Sequence, residues 1–449
     1  MRHLTPLSEE TCDGYAALVD RAIDGPSSLF AKREAIDEYG WRHFGDVYGD
    51  HEAAFSEPDP PLVSHWNNQY DLINGLGVRY MRGGDRRWFE LMEDMVWHVS
   101  DIDVYHTDED KLAYNHGLFW HTVHYVDAGK ANHRSYPTGT VGGGPCAEHA
   151  YARGLMLYYY LTGCEAIREV VVELGDWVLS LEDGSATPFR WLSWAPTGLS
   201  SASGTPDYHG PGRGPGNASE TLLAAFELTG DRKYIERVEE LMYRVIDPRD
   251  DLDALDLLNA EWRWYYNLYL QALGRYLEVK VDLGEIDQQY AYGRACLVHY
   301  ATWMADKEYP YLDRPEILEY PTETWAAQDL RKSEVFHYAA RHVDSDLRRT
   351  FQERGAYFFH ESVSTLSEMP TAHFCRPLAL LLGCGQSYDW FRKNVDSSPL
   401  PEGPKLDLGV RRRFVPQKKQ AIRRAKLLAG AGALVVLVAG SLGLYSYMW

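Results

Sequence analysis

The run Leu222-Leu223-Ala224-Ala225-Phe226-Glu227-Leu228-Thr229-Gly230-Asp231, followed by Ile235, Val238, Leu241, Met242 and Val245, decides the fold. It reads as an apolar helix, a glycine stop, a short turn and an amphipathic helix whose apolar positions recur every three to four residues. The same signals recur at Arg79–Trp88, leading into Phe89, Met92, Val96 and Val99, and at Leu155–Cys164, leading into Ile167, Val171, Leu174 and Val178. Weaker copies cover Leu268–Trp303 and Val335–Ser364, and a last helix runs through Leu378–Leu382. The stop glycines Gly84, Gly163 and Gly230 stand 79 and 67 residues apart, a period that suits helical hairpins separated by long loops. Strand signals are nearly absent, and Phe189–Trp194 reads at most as a local hairpin. Hairpins repeated five or six times bury their apolar faces only by stacking or closing. The first helix of each is the more hydrophobic, which suits an inner ring, and the second is charged on one face, which suits an outer one. The expectation is an all-α fold, an (α/α) toroid of about five to six helical hairpins over residues 1–395. An open solenoid would have a shorter, more regular period and shorter loops.

The chain has 449 residues, 45% of them apolar and 24% charged, an ordinary globular balance. Its net charge is −20, and the basic residues are unevenly placed. Eight of them, Arg411, Arg412, Arg413, Lys418, Lys419, Arg423, Arg424 and Lys426, stand in the last 39 residues without an acid, so residues 1–410 carry −28. A body that acidic repels polyanions, which excludes nucleic acid as a partner. After the Pro- and Ser-rich stretch 397–404, the basic flank leads into Leu427–Tyr447, 21 residues without a charge. That is long enough to cross about 30 Å of hydrocarbon as a helix. The organisation expected is therefore a toroid domain, a linker and basic juxtamembrane segment at 396–426, and a single transmembrane helix at 427–447. Basic residues stay on the cytoplasmic side, so the body is expected there, with the lipid bilayer as a partner. Six scattered cysteines without a CxxC pair read as thiols.

In a toroid the inner helices run parallel, so the loops entering them meet at one end, where the helix dipoles are positive. The segments placed there are rich in polar and aromatic residues. Asn115, His116, Trp120, His121, His124, Arg134 and Tyr136 form the densest run. Glu148, His149 and Tyr151 open the next helix, and His209 and Arg213 precede Asn217, Ser219 and Glu220, where Asn217 or Ser219 reads as an N-cap. Glu261 with Trp264, and Trp325 after Glu323, complete the set; Ser64–Asp71 has the same character. His121-x-x-His124 has a spacing that can share a metal face, but no HExxH or cysteine set accompanies it, so no cofactor is expected. No phosphate loop and no nucleophile elbow is present in the sequence.

The runs YGWRHFGD, SHWNNQYD, YNHGLFWHTVHYVDAGKANHRSY, GGGPCAEHAYARGLMLYYYLTG and NASETLLAAFELTGD resemble the α/α-toroid domain of the exo-rhamnogalacturonan lyase/YetA-like group, and the carbohydrate-active toroids more broadly. The resemblance spans roughly residues 35–390; the basic, apolar C-terminus departs from it. It implies an acidic carbohydrate substrate and a lyase-like reaction. The substrate carboxylate is then neutralised by Asn115, His116 and Arg134, with His121 or His124 as base and Tyr151 or Tyr136 as acid. Trp120, Trp264 and Trp325 stack on sugar faces. A glycoside hydrolase would instead use two carboxylates, for which Glu148, Glu220 and Glu261 are the candidates. A non-catalytic glycan-binding module at the membrane is the third possibility.

Overall fold

The computed structural model describes residues 3–26, 28–36, 40, 47–48, 63–64, 68–119, 147–205, 207–369, 375–394, 399–411 and 413–430. These are all-helical apart from a two-residue antiparallel pair, Val47–Tyr48 with Val63–Ser64. The helices are α1 (Asp13–Asp20), α2 (Leu29–Ile36), α3 (Leu72–Gly83), α4 (Arg86–His98), α5 (Arg153–Thr162), α6 (Glu165–Leu181), α7 (Arg213–Thr229) and α8 (Arg232–Val245). There follow α9 (Ala260–Arg263), α10 (Tyr266–Asp282), α11 (Gln288–Lys307), α12 (Glu323–Ala340), α13 (Ser345–Ser367), α14 (Cys375–Cys384), α15 (Tyr388–Asn394) and α16 (417–430).

The three sequence-quoted hairpins share one local construction. Gly84, Gly163 and Gly230 take φ of 74°, 71° and 69°, and each donates its N–H at 2.7 Å to a carbonyl four residues back, on Tyr80, Tyr159 and Phe226. That left-handed residue satisfies a helix-end carbonyl at little cost only if it lacks a Cβ. In the first and third hairpins the next residue starts the new helix. Asp85 accepts from the Arg87 N–H, and Asp231 from the Lys233 N–H.

The first helices contact one another in a closed order: α3 on α5, α5 on α7, α7 on α10, α10 on α12, α12 on α14, and α14 back on α3. The second helices α4, α6, α8, α11 and α13 back their own partners, and α1 packs on α13 and α14. Segment 3–12 is stitched onto this body. His3 Nε2 lies 2.8 Å from Glu278 near the end of α10, Arg82 donates to the Thr5 carbonyl at 2.7 Å, and Glu10 pairs with Arg79 and Arg82 at 3.0 and 2.9 Å.

Three expectations change. Phe189–Trp194 is no strand hairpin; it falls around a 3-10 turn, Pro188–Trp191, capped by the Thr187 hydroxyl. Asn217 and Ser219 are not N-caps, because α7 begins at Arg213. Pro215 is only its third residue, where a missing N–H breaks no helical bond. Ser219 turns back onto the Pro215 carbonyl at 2.7 Å, leaving Glu220 two turns inside the helix. Within the linker span, the described residues from 399 onward are not a free tether. The Leu400 N–H donates to the Arg341 carbonyl, Tyr290 donates to the Pro401 carbonyl, and Gln417 bonds the Gly184 and Ser193 carbonyls. Among the described residues no helix is long and apolar enough to cross a membrane; the span 427–447 lies outside them beyond Gly430.

Candidate active site

The starts of the first helices line two adjoining cavities that share Tyr70 as a wall. The outer one, about 160 Å³, is walled by Arg213, Glu261, Trp264, Trp325, Gln328 and Arg376 among others. The inner one, about 90 Å³, is lined by Asp71, Tyr151, Arg153, Glu220, Arg331 and Glu334. A third, about 430 Å³, shares Asn74, Arg153 and Tyr338 with the inner one and extends along the helix ends to Tyr160, Phe226 and Asp282.

Asp71 organises the inner cavity. Its carboxylate accepts from the Asn74 N–H at 3.4 Å, starting α3, and from the Gly154 N–H at 3.0 Å, at the start of α5. Tyr70 and Asp71 both stand in the left-handed region, with φ of 59° and 60°. Two such non-glycine residues in a row cost on the order of 1–3 kcal/mol each and mark a functional candidate. The Asp71 hydrogen bonds hold them there, with one from the Gln328 amide to the Tyr70 hydroxyl at 3.0 Å. Gly154 is required for this approach, because a Cβ on it would lie 2.5 Å from the Asn74 nitrogen and from the Asp71 carboxylate. Burial raises the Asp71 pKa to about 6, against the opposing effect of Arg153 and the two backbone donors.

Glu334, from the middle of α12, is the second carboxylate. Gln271 and Ser387 hydrogen-bond to it, the latter at 3.2 Å, yet burial still pushes its pKa up to about 7. Arg331, one turn earlier, is spread between the Gln328 and Gln271 carbonyl oxygens at 2.8 and 2.7 Å, and its guanidinium lies 4.7 Å from the Tyr70 ring centroid. Arg153 differs: it lines the inner and far cavities and makes no hydrogen bond or ion pair among the described residues.

The sequence candidates divide. Tyr151, Glu220, Arg213, Glu261, Trp264 and Trp325 line these cavities. Burial raises the Tyr151 pKa, and Glu220 is paired with Arg275. Glu148 joins the mouth through Arg213 at 2.9 Å and the Gly204 N–H at 2.6 Å, and Arg213 lies 5.7 Å from the Trp264 ring centroid. His149 is buried beside them. Others are placed elsewhere. His116 is held between Glu173 of α6 at 2.6 Å and Asp108 at 2.8 Å, both of which raise its pKa, while Asn115 accepts from the Asp110 N–H. His209 faces the C-terminal segment, 3.0 Å from the Ser201 hydroxyl and edge-on to Phe414. For the two histidines, helix α6 and Phe414 supply partners that sequence proximity does not show, while Asn115 is held within its own loop. Trp120, His121, His124, Arg134 and Tyr136 lie outside the described residues.

Asp71, Arg153 and Glu334 are the residues sequence reasoning missed as site members. Asp71 ends a run with the right character, and its position just before an apolar helix was the available signal. Glu334 had none, because a charged residue in mid-helix reads as solvent-facing. Among the described residues no group of His, Cys, Asp and Glu is placed to hold a metal ion. No family model, curated protein or solved structure matches the chain.

Proposed function

We propose that this protein is a membrane-tethered, carbohydrate-active enzyme of the (α/α)-toroid kind that cleaves a glycosidic bond at an acidic sugar. The closed order of first helices supports the toroid, since an open solenoid leaves two ends without a neighbour. The apolar run 427–447 behind its basic flank is the tether, with the body on the cytoplasmic side.

One observation carries the reading: a single cavity holds Arg153, whose guanidinium has no hydrogen bond or close ion pair among the described residues, together with Asp71 and Glu334, both raised toward neutrality by burial. A guanidinium whose hydrogen-bond donors the protein leaves open is suited to a substrate carboxylate. With a pKa of about 7, Glu334 keeps its proton on roughly half of the molecules at neutral pH and serves as the acid to the leaving oxygen. Asp71, at about 6, is mostly ionised there and serves as base or nucleophile. Trp264, Trp325 and Tyr70 at the mouth offer faces for sugar rings. Hydrolysis is favoured because the carboxylate pair meets its needs directly. β-Elimination is the second reading, favoured by Arg153, which would neutralise the carboxylate next to the abstracted proton.

Turnover of the full chain on uronate-containing oligosaccharides tests this. Hydrolysis releases reducing ends without ultraviolet absorbance, whereas elimination leaves an absorbing unsaturated uronate. Glu334→Gln is expected to lower kcat by on the order of 10²–10⁴, and Arg153→Gln to raise KM for acidic substrates more than for neutral ones. Binding without turnover, or full activity in Glu334→Gln, would overturn the assignment.

A further inference from the structure

The described C-terminal residues meet an unusual surface. Helix α16 is buried only along its first turn and a half. Gln417 and Ala421 are buried, and every residue from 422 to 430 is exposed. The helix thus projects away from the body, and the chain continues from it into the uncharged run 427–447. At the point of departure it is pinned to the loop after α6. Gln420 takes the Ser193 hydroxyl at 3.2 Å, and Arg424 donates to the Leu192 carbonyl at 2.6 Å. That loop holds two tryptophans almost entirely in the open, Trp191 at 80% exposure and Trp194 at 75%, with Leu199 half exposed nearby. Indoles so exposed are uncommon on a soluble surface, and tryptophan is the residue favoured at a bilayer interface.

The charges beside them are sorted in the same sense. Between the body and residues 408–411 and 413–423 lies a cavity of about 920 Å³. Some of its cations are neutralised by the body: Arg249 by Asp247 at 2.7 Å, Lys419 by Asp207 at 2.7 Å, and Arg411 by Asp250. The side chains of Arg413 and Arg423, on its wall, make no hydrogen bond or ion pair among the described residues, and neither do those of Lys418 and Lys426 on the helix. Four cations without a close ion pair, of which only Lys418 stands within reach of Asp207, are a local reversal of sign on a body of net −28. At long range that body is repelled by an acidic membrane; at this face it is attracted.

We infer that the loop 187–199 and helix α16 form one membrane-docking face, with Trp191 and Trp194 entering the headgroup region and Arg413, Lys418, Arg423 and Lys426 meeting acidic phospholipid headgroups. The inference rests on the tether reading but adds a second contact: the body lies against the bilayer in one orientation and does not swing on a loose linker. The contacts of Leu400, Pro401 and Gln417 with Arg341, Tyr290, Gly184 and Ser193 fix that geometry against the body.

The full chain, reconstituted into vesicles of phosphatidylcholine with or without phosphatidylglycerol, provides the test. Tryptophan emission is read against lipid brominated near the headgroup. Three indoles are expected to be quenched in the acidic vesicles, Trp191, Trp194 and the terminal Trp449. In Trp191→Phe/Trp194→Phe the quenching is expected to fall to about one third, the share left by Trp449. Arg413→Gln/Arg423→Gln is expected to reduce it toward the level seen in neutral vesicles. Quenching that is equal in the wild-type chain and the tryptophan variant, or independent of acidic lipid, overturns the docking face while leaving the tether intact. A chain that does not float with acidic vesicles overturns tether and face together, whatever its activity on sugars.

Discussion

Helices α8 and α12 both carry charges through their middle, yet most of those on α8 lie at the surface and most of those on α12 are buried. On α8, Ile235, Val238, Leu241, Met242 and Val245 are buried while Arg232, Lys233, Glu236 and Glu240 face water; only Glu239 and Arg244 turn inward, onto Lys280 and Glu182. Lys233 there pairs with Asp176 at 2.9 Å, both about half exposed. On α12, Lys332 is fully buried, 2.8 Å from Glu308 and 2.9 Å from Asp329, donating to the Tyr309 carbonyl at 2.5 Å and lying 3.4 Å from the Tyr311 ring centroid. Burial alone would lower the Lys332 pKa, but the two carboxylates raise it above the ordinary value. Asp329 is itself raised to about 6 by burial. Water satisfies the outward charges of α8, such as Lys233, Glu236 and Glu240, so their positions are free. The buried Arg331 and Lys332 of α12, and Glu334 in the inner cavity, must be met by the protein, so their positions are set by Gln271 on α10, Glu308 and Tyr309 in the loop before α12, and Ser387.

The strongest way to break this contrast is Lys332→Met. It leaves Glu308 and Asp329 buried without their cation and is expected to cost about 3–5 kcal/mol of stability, read from urea unfolding at pH 7. A cost below that of a surface change would mean that the network is wet.

The pH dependence of stability comes next. The folded-state pKa of Glu334 is raised from the usual 4.5 to about 7, so the group contributes stability that is fully present below about pH 4.5 and is lost as pH rises through 7. Glu334→Gln is therefore expected to flatten that loss, by on the order of 2–3 kcal/mol between pH 4.5 and 7. Unfolding midpoints at the two pH values check it. An unchanged slope would place the titration elsewhere.

Gly154→Ala is expected to cost about 1–3 kcal/mol and to lower turnover as well, because the new methyl can be relieved only by moving Asp71 or the start of α3. Stability lost with activity intact would separate Asp71 from the chemistry. The smallest effect belongs to Lys233→Met on α8, within about 1 kcal/mol. Thermal unfolding of this variant beside Lys332→Met gives the contrast in one experiment.

The hairpins were legible because their signals are local. A left-handed glycine after Tyr80, Tyr159 and Phe226 needs only its own backbone, and an apolar face recurring at 3.6 residues needs only one helix. The start of α7 was misread for an equally local reason. Gly212-Arg213-Gly214-Pro215 looks like a loop, and only the close approach of the Ala202 carbonyl, 2.0 Å from where a Gly214 Cβ would stand, shows why glycine occupies a helix there. Of the candidate site, the aromatic mouth with Trp264 and Trp325 was readable from indoles placed at helix starts. His116 and His209 looked equally qualified, but Glu173 and Phe414 hold them elsewhere.

From the order of residues alone follow the helical class, the hairpin turns, the acidic body and the basic, apolar C-terminus, since each depends on neighbours within a few positions or on bare totals. The identity of the perturbed carboxylates does not follow. Asp71 is capped onto Gly154, 83 positions away, and Glu334 onto Gln271, 63 away. A carboxyl group's proton affinity depends on the water removed from it and the charges brought near it. Both are properties of folded space, and chain distance carries no record of them.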